Sequence, residues 1–257
     1  MKEVTTQTSF LDNQDWNFNN RHNSNNFSIH PYPAKFIPEL PRTLINNLKI
    51  PQGTAILDPF CGSGTTLLEA QKQGIPSMGI DLNPIACLIS KTFTTKISTN
   101  LIKTSVDCVE RAKRNMSDEL IDIPNIDHWF RKDIQMALLS LKKEIFKITN
   151  LSIRMALKVA FSSIVVRVSN QESDTRYAAI EKKLVQLEVF QLFLNSVKQI
   201  EENNMQNRKY FDTPTQIIEA NVLELKPEKL KWKVGLVITS PPYPNAYEYW
   251  LYHKYRM

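Results

Sequence analysis

The chain has 257 residues, 42% hydrophobic and 23% charged, an ordinary globular composition that excludes a disordered, collagen-like or disulfide-stapled chain. Lys and Arg (32) exceed Asp and Glu (26), for a formal net charge of +6, which is compatible with a polyanionic partner. Cys61, Cys87 and Cys108 lack metal-ligand spacing and fit a reducing compartment, and no apolar run reaches the ~18 residues of a membrane span, so a soluble cytoplasmic protein is expected.

Residues 1–29 are polar and asparagine-rich and read as an irregular arm. The prolines in His30-Pro31-Tyr32-Pro33-Ala34-Lys35-Phe36-Ile37-Pro38 forbid an uninterrupted helix. Leu40, Leu44, Ile45 and Leu48 then recur at helical spacing, predicting a short helix over 38–48. Residues 54–58 read as a buried strand, the loop Cys61-Gly62-Ser63-Gly64 leads into a helix over 65–73, and residues 78–81 form a second strand. Asn83-Pro84 is a helix start, a capping residue followed by proline at the first helical position. Strand and helix alternating at this spacing predict a parallel sheet with crossover helices. Residues 98–210 contain no glycine and one proline, Pro124, and carry long helical patterns, so they read as a helical insertion. Strands resume over 216–220 and 234–238. The expected organisation is an arm (1–29), a first part of an α/β domain (30–97), the insertion (98–210) and a second part (211–257).

Glycine is scarce and concentrated. About eighteen are expected at ~7% usage; the chain has six, and five of them (Gly53, Gly62, Gly64, Gly74, Gly79) lie between 53 and 79. Unusual backbone angles and close ligand approach are therefore needed there. Within that stretch, Asp58-Pro59-Phe60-Cys61-Gly62-Ser63-Gly64-Thr65-Thr66 crosses a strand-to-helix junction. It has no Lys-Ser/Thr ending of a P-loop, and Leu67 stands where a dinucleotide fingerprint needs a third glycine. A second acid, Asp81, closes the next strand about twenty residues on, where nucleotide-binding α/β folds grip a ribose diol. The pattern points to a nucleoside cofactor rather than a plain Gly-Ser turn.

The other motif is Thr239-Ser240-Pro241-Pro242-Tyr243, following the apolar run 234–238. Two prolines remove two donors and leave carbonyls pointing outward. A hydroxyl, a free carbonyl and an aromatic ring side by side suit a planar base with an exocyclic amine, the oxygens accepting from the amine and Tyr243 stacking on the ring. Alone, this motif reads equally well as a proline turn capping a strand.

Together the two motifs resemble those of the S-adenosylmethionine-dependent DNA amino-methyltransferases, and Ser-Pro-Pro-Tyr is the form typical of the cytosine-N4-specific type. The resemblance spans roughly residues 30–90 and 215–250. It implies an α/β fold with a Rossmann-like class I methyltransferase sheet carrying a helical insertion. It also implies S-adenosyl-L-methionine as cofactor and duplex DNA with a flipped base as partner. The implied cofactor residues are Tyr32, Ala34, Lys35, Phe36, Asp58, Phe60, Cys61, Gly62, Ser63, Gly64, Thr65, Thr66, Asp81, Leu82 and Asn221, with Ala220-Asn221-Val222 standing where the family usually has Gly-Asp-Ala. Ser240, Pro241, Pro242 and Tyr243 are the implied catalytic group. Hydrogen bonds to Ser240 and the Pro241 carbonyl draw the amine nitrogen toward tetrahedral geometry for in-line transfer, so that orientation and electrostatics carry the catalysis.

A cytosine-C5 mechanism needs a cysteine in a catalytic loop, whereas Cys61 is in the cofactor loop. His22, His30, His128 and His253 show no metal spacing, so no metal is expected. Arg167, Arg176, Lys182 and Lys183 are as well explained by a solvated helix face as by phosphate contacts. Only a short stretch follows Tyr243, beginning a helix at Tyr247, Tyr249, Trp250 and Tyr252. This leads us to expect a sheet incomplete at its C-terminal side, with a second polypeptide supplying the missing strands. Adenine-N6 transfer to DNA, transfer to an RNA base amine and an inactive fragment or split-enzyme subunit are the alternatives.

Overall fold

The computed structural model describes Gln14, Trp16, Phe18 and residues 29–32, 35–119, 123–173, 176 and 178–242. Most of the expected N-terminal arm, Pro33, Ala34 and everything from Tyr243 onward lie outside the described residues, including the helix expected near Tyr247. The described residues fall into two compact units, one built from 35–90 and 209–242 and the other from 29–32 and 91–208.

The first unit is a four-stranded parallel sheet. Helix α1 (Glu39–Asn47) precedes β1 (Ala55–Asp58), then α2 (Thr65–Lys72), β2 (Ser77–Asp81) and α3 (Pro84–Phe93), whose last turn passes into the other unit; β3 (Thr215–Glu219) and β4 (Val234–Val237) complete it. The strand order is β3-β2-β1-β4, every pair parallel. This is the mixed α/β architecture expected from the alternating pattern, consistent with a Rossmann-like methyltransferase fold. A core of Ile45, Ile56, Ala70 and Ile238 joins α1, β1, α2 and the end of β4. Glu69 of α2 is fully buried, and Arg42 (2.8 Å) and Lys72 (2.7 Å) neutralise it, pinning α1 against α2.

Register along β1 and β4 is interrupted. Ala55 pairs with Val234 but Ile56 with Leu236, so Gly235 is the extra residue of a bulge. A Cβ at Gly235 would lie 1.9 Å from Thr54 Oγ1, so only glycine fits against the segment entering β1.

The second unit is helical: α4 (Leu101–Arg114), α5 (Ile126–Trp129), α6 (Lys132–Phe146), α7 (Leu151–Val168) and α8 (Gln186–Asn207). Asn150 caps α7, its Oδ1 accepting from the Ile153 N–H at 3.1 Å. Helix α7 is buried on nearly all sides, and Ser163 meets Ser196 of α8 at 2.7 Å inside the core. Leu184, at helical spacing from Leu187 in the sequence, precedes the last helix; α8 starts at Gln186, where Glu188 accepts from the Val185 N–H. His30 is fully buried in this unit, its Nε2 3.0 Å from Ser162 Oγ. Among the described residues no helix is long and apolar enough to cross a membrane.

Candidate active site

Parallel strands end together, so the loops that follow them gather along one edge of the sheet. Asp58 ends β1 with 2% of its surface exposed, and its Oδ1 accepts from the Phe60 N–H at 3.2 Å. The chain then turns sharply: the Cys61 N–H donates to Ile80 O (2.9 Å) and the Gly64 N–H to Cys61 O (2.8 Å). Gly62 (φ 49) and Gly64 (φ 83) occupy the left-handed region that favours glycine, and Gly64 caps α2. Ser90 of α3 supports the loop from behind, its hydroxyl donating to Gly62 O at 2.7 Å. Gly79 of β2 makes room for it: a Cβ there would stand 2.6 Å from Leu67 Cδ1 and 2.9 Å from Cys61 Sγ.

Asp81 ends β2 and ties the neighbouring loop to it. Its Oδ2 accepts from the Gly62 N–H at 2.9 Å and its Oδ1 from the Asn83 N–H at 2.8 Å. Burial pushes the Asp81 carboxyl above the usual range, and these N–H donors pull it part of the way back. Asn83 caps α3 through Ile85 (2.9 Å), and Leu82 between them is 70% exposed. After β3, the Ala220 N–H donates to Asp81 O (3.0 Å). Asn221 spends its amide locally, Oδ1 accepting from the Leu223 N–H (3.1 Å) and Nδ2 donating to Glu224 (2.9 Å). Leu223 is left 89% exposed.

The second motif arrives at the same edge beside β1. The Ile238 N–H donates to Leu57 O at 3.0 Å, and the Thr239 hydroxyl donates to Asp58 Oδ1 at 2.8 Å. Ser240 is half-buried, and Pro241 and Pro242 are exposed. The start of each motif is thus joined to the other by a side-chain hydrogen bond across 181 positions of sequence.

The remaining expected site residues are distributed unevenly. Ser63, Thr65 and Thr66 are buried in the loop and first turn of α2. Phe60 stands partly exposed at the loop's tip. The Cys61 thiol is buried, which pushes its pKa well above the ordinary thiol value, so Cys61 contributes backbone and packing rather than a nucleophile. Lys35 and Phe36 belong to the sheet unit, where Phe36 packs against the Ile45 and Ile56 core. Tyr32 belongs to the helical unit, its N–H donating to His30 O at 2.8 Å. Ala34 and Tyr243 lie outside the described residues. Sequence reasoning passed over Ser90, which braces the glycine loop, and the bond from Thr239 to Asp58. Only Thr239 carried a signal, its place directly before Ser-Pro-Pro.

The edge fits a nucleoside-bearing cofactor. Thr65 Oγ1, at the start of α2, is buried with no hydrogen-bond partner among the described residues. Two left-handed glycines open the backbone beside it, and Asp81 lies between the exposed apolar Leu82 and the loop.

Residues 2–92 match the model of a family described as DNA methylase. The type II methyltransferase M.MvaI of Kocuria varians is 28% identical over 239 residues, covering 84% of this chain and 53% of that protein. These likenesses are to DNA methylases and type II methyltransferases. The type II methyltransferase M.MjaII of Methanocaldococcus jannaschii is 39% identical over 95 residues, covering 35% of the chain and 18% of that protein. A tRNA (guanine(10)-N2)-dimethyltransferase of Methanothermobacter thermautotrophicus is 40% identical over 52 residues, 20% of the chain and 16% of that protein. The chain spans about half the length of the Kocuria relative, and less of the others. No solved structure matches.

Proposed function

We propose that this chain serves a DNA methyltransferase of restriction–modification type, acting on the exocyclic N4 amine of cytosine with S-adenosylmethionine as donor. The observation carrying the reading is the Thr239–Asp58 hydrogen bond, which brings the Ser240-Pro241-Pro242 loop beside the glycine-rich loop. The glycine loop, Thr65 and Asp81 hold the cofactor. When bound, S-adenosylmethionine supplies an electrophilic methyl group on a sulfonium.

The rest of the task falls to the chain's own residues. A base inside a duplex is out of reach and is flipped out first. The Ser240 hydroxyl and the Pro241 carbonyl accept the amine's hydrogens. This withdraws the nitrogen lone pair from the ring and aims it outward. Pro241 and Pro242 hold that carbonyl rigidly because neither has an N–H or a free φ. No covalent enzyme intermediate is needed, so positioning supplies most of the rate. Within this proposal a second polypeptide pairs with the outer edge of β4, which meets a strand on one side only among the described residues.

Serine before Pro-Pro-Tyr favours cytosine N4 over adenine N6. The short stretch shared with the tRNA methyltransferase supports an RNA base amine as the second reading. Methyl-labelled S-adenosylmethionine is incubated with the chain and either duplex DNA or tRNA, and the product is digested to nucleosides. Label in N4-methylcytosine is expected. Label in N6-methyladenine changes the base, label only in tRNA favours the second reading, and label in neither, with the polypeptide that completes the sheet also present, rejects the function.

A further inference from the structure

We propose that Thr239 is a positioning residue, its hydroxyl latching the Ser240-Pro241-Pro242 loop to Asp58 so that the catalytic oxygens keep a constant offset from the cofactor loop. The inference rests on the function proposed above.

Three observations require such a latch. The ladder between β1 and β4 ends at the Ile238 N–H to Leu57 O bond, because Pro59 on the facing chain has no N–H to return to it. Among the described residues no other hydrogen bond fastens Ser240, Pro241 or Pro242 to the sheet. The bulge at Gly235 loosens the register that a regular ladder would impose on the end of β4. Asp58 suits the acceptor role because it is buried and itself held by the Phe60 N–H, so its Oδ1 is a stationary point. The latch thereby joins the residue that opens the cofactor loop to the residue that precedes the catalytic serine. Cofactor binding by residues 58–66 does not require it; placement of the Ser240 hydroxyl does.

Thr239→Val removes the hydroxyl at nearly constant volume, and Thr239→Ser keeps it. Amide hydrogen exchange at residues 238–240 and methyl transfer to duplex DNA are measured on the full chain. In Thr239→Val we expect exchange at these amides to rise about 10-fold and kcat to fall about 30- to 100-fold, while the S-adenosylmethionine KM stays within about 3-fold. Thr239→Ser should restore both exchange and kcat to near the parent. A Val variant with parental exchange and parental kcat overturns the latch and leaves the methyltransferase reading standing. An equal loss in the Val and Ser variants also overturns it, since a general packing effect would then be the cause. If the parent chain does not methylate DNA with the polypeptide that completes the sheet present, the proposed function fails, and hydrogen exchange alone still decides the latch.

Discussion

Replacing Gly235 with Ala tests how strictly the sheet sets the position of the second motif. The added Cβ would lie 1.9 Å from Thr54 Oγ1 and 2.8 Å from Thr54 Cβ, where ordinary contact begins at 3.4 Å, so β4 must retreat from β1 by about 1.5 Å. Because β4 is an edge strand of the described sheet with Val237 52% exposed, it can move rather than compress the core. The stability cost should therefore stay in the usual overpacking range, about 2–3 kcal/mol, a fall in Tm of about 5–10 °C for a chain of this size. Activity should suffer more, because a displacement near 1 Å at a reacting group costs on the order of 100-fold in rate. Thermal unfolding by circular dichroism and a methyl-transfer assay read the two effects separately. Thr54→Gly removes both clashing atoms and leaves Pro51 Cδ at 3.1 Å as the next nearest atom, so the double variant should recover most of the lost rate. A Gly235→Ala protein with parental Tm and parental rate would show that Thr54 and Gly235 do not pack as described, and the reasoning about register would fail with it.

Ser240→Ala should lower methyl transfer by about 100-fold with little change in S-adenosylmethionine affinity by calorimetry. Asp81→Ala should do the reverse, weakening affinity about 10-fold or more through loss of the acceptor for the Gly62 N–H; equal losses in both variants would remove the assigned roles. Burial raises the Asp58 carboxyl pKa above its unfolded value, the Asp81 charge adds to this, and the Thr239 hydroxyl and Phe60 N–H oppose it. The folded state thus binds the Asp58 proton more tightly, and this group's contribution to stability is full below about pH 4 and lost as pH rises through the raised value. Asp58→Asn should accordingly match or exceed the parent's Tm at pH 7, with the advantage shrinking toward acid; a deficit at pH 7 that persists at pH 4 contradicts it. Cys61 and Cys108 are buried, and burial pushes the Cys108 thiol up to about 12. Neither should react with iodoacetamide at pH 8 until the chain unfolds, and rapid labelling of the native protein would refute their placement.

The parts of the molecule that local chemistry dictates were readable in advance. Asn83-Pro84 has to start a helix, Gly62 and Gly64 have to turn the chain where few other residues can, and apolar runs bounded by turns have to be buried strands. These rules placed the four described strands within a residue or two of their observed bounds. What depends on tertiary partners was not readable. Nothing in the spacing of Phe36 distinguishes a cofactor contact from packing against Ile45 and Ile56. Asn221 looks free in sequence, and only the turn after β3 shows its amide engaged with Leu223 and Glu224. The extra residue at Gly235 and the hydroxyl bond from Thr239 arise from how β4 lies against β1, the Thr239–Asp58 bond spanning 181 positions.

Photo-crosslinking of labelled S-adenosylmethionine, followed by peptide mapping, addresses the shared sheet edge without assuming which base is modified. Label should fall on the peptide running from Ile50 to Lys72, which holds the glycine loop, and should be lost in Asp81→Ala. Label found only on peptides from the helical residues 98–208, unaffected by Asp81→Ala, would contradict the whole arrangement.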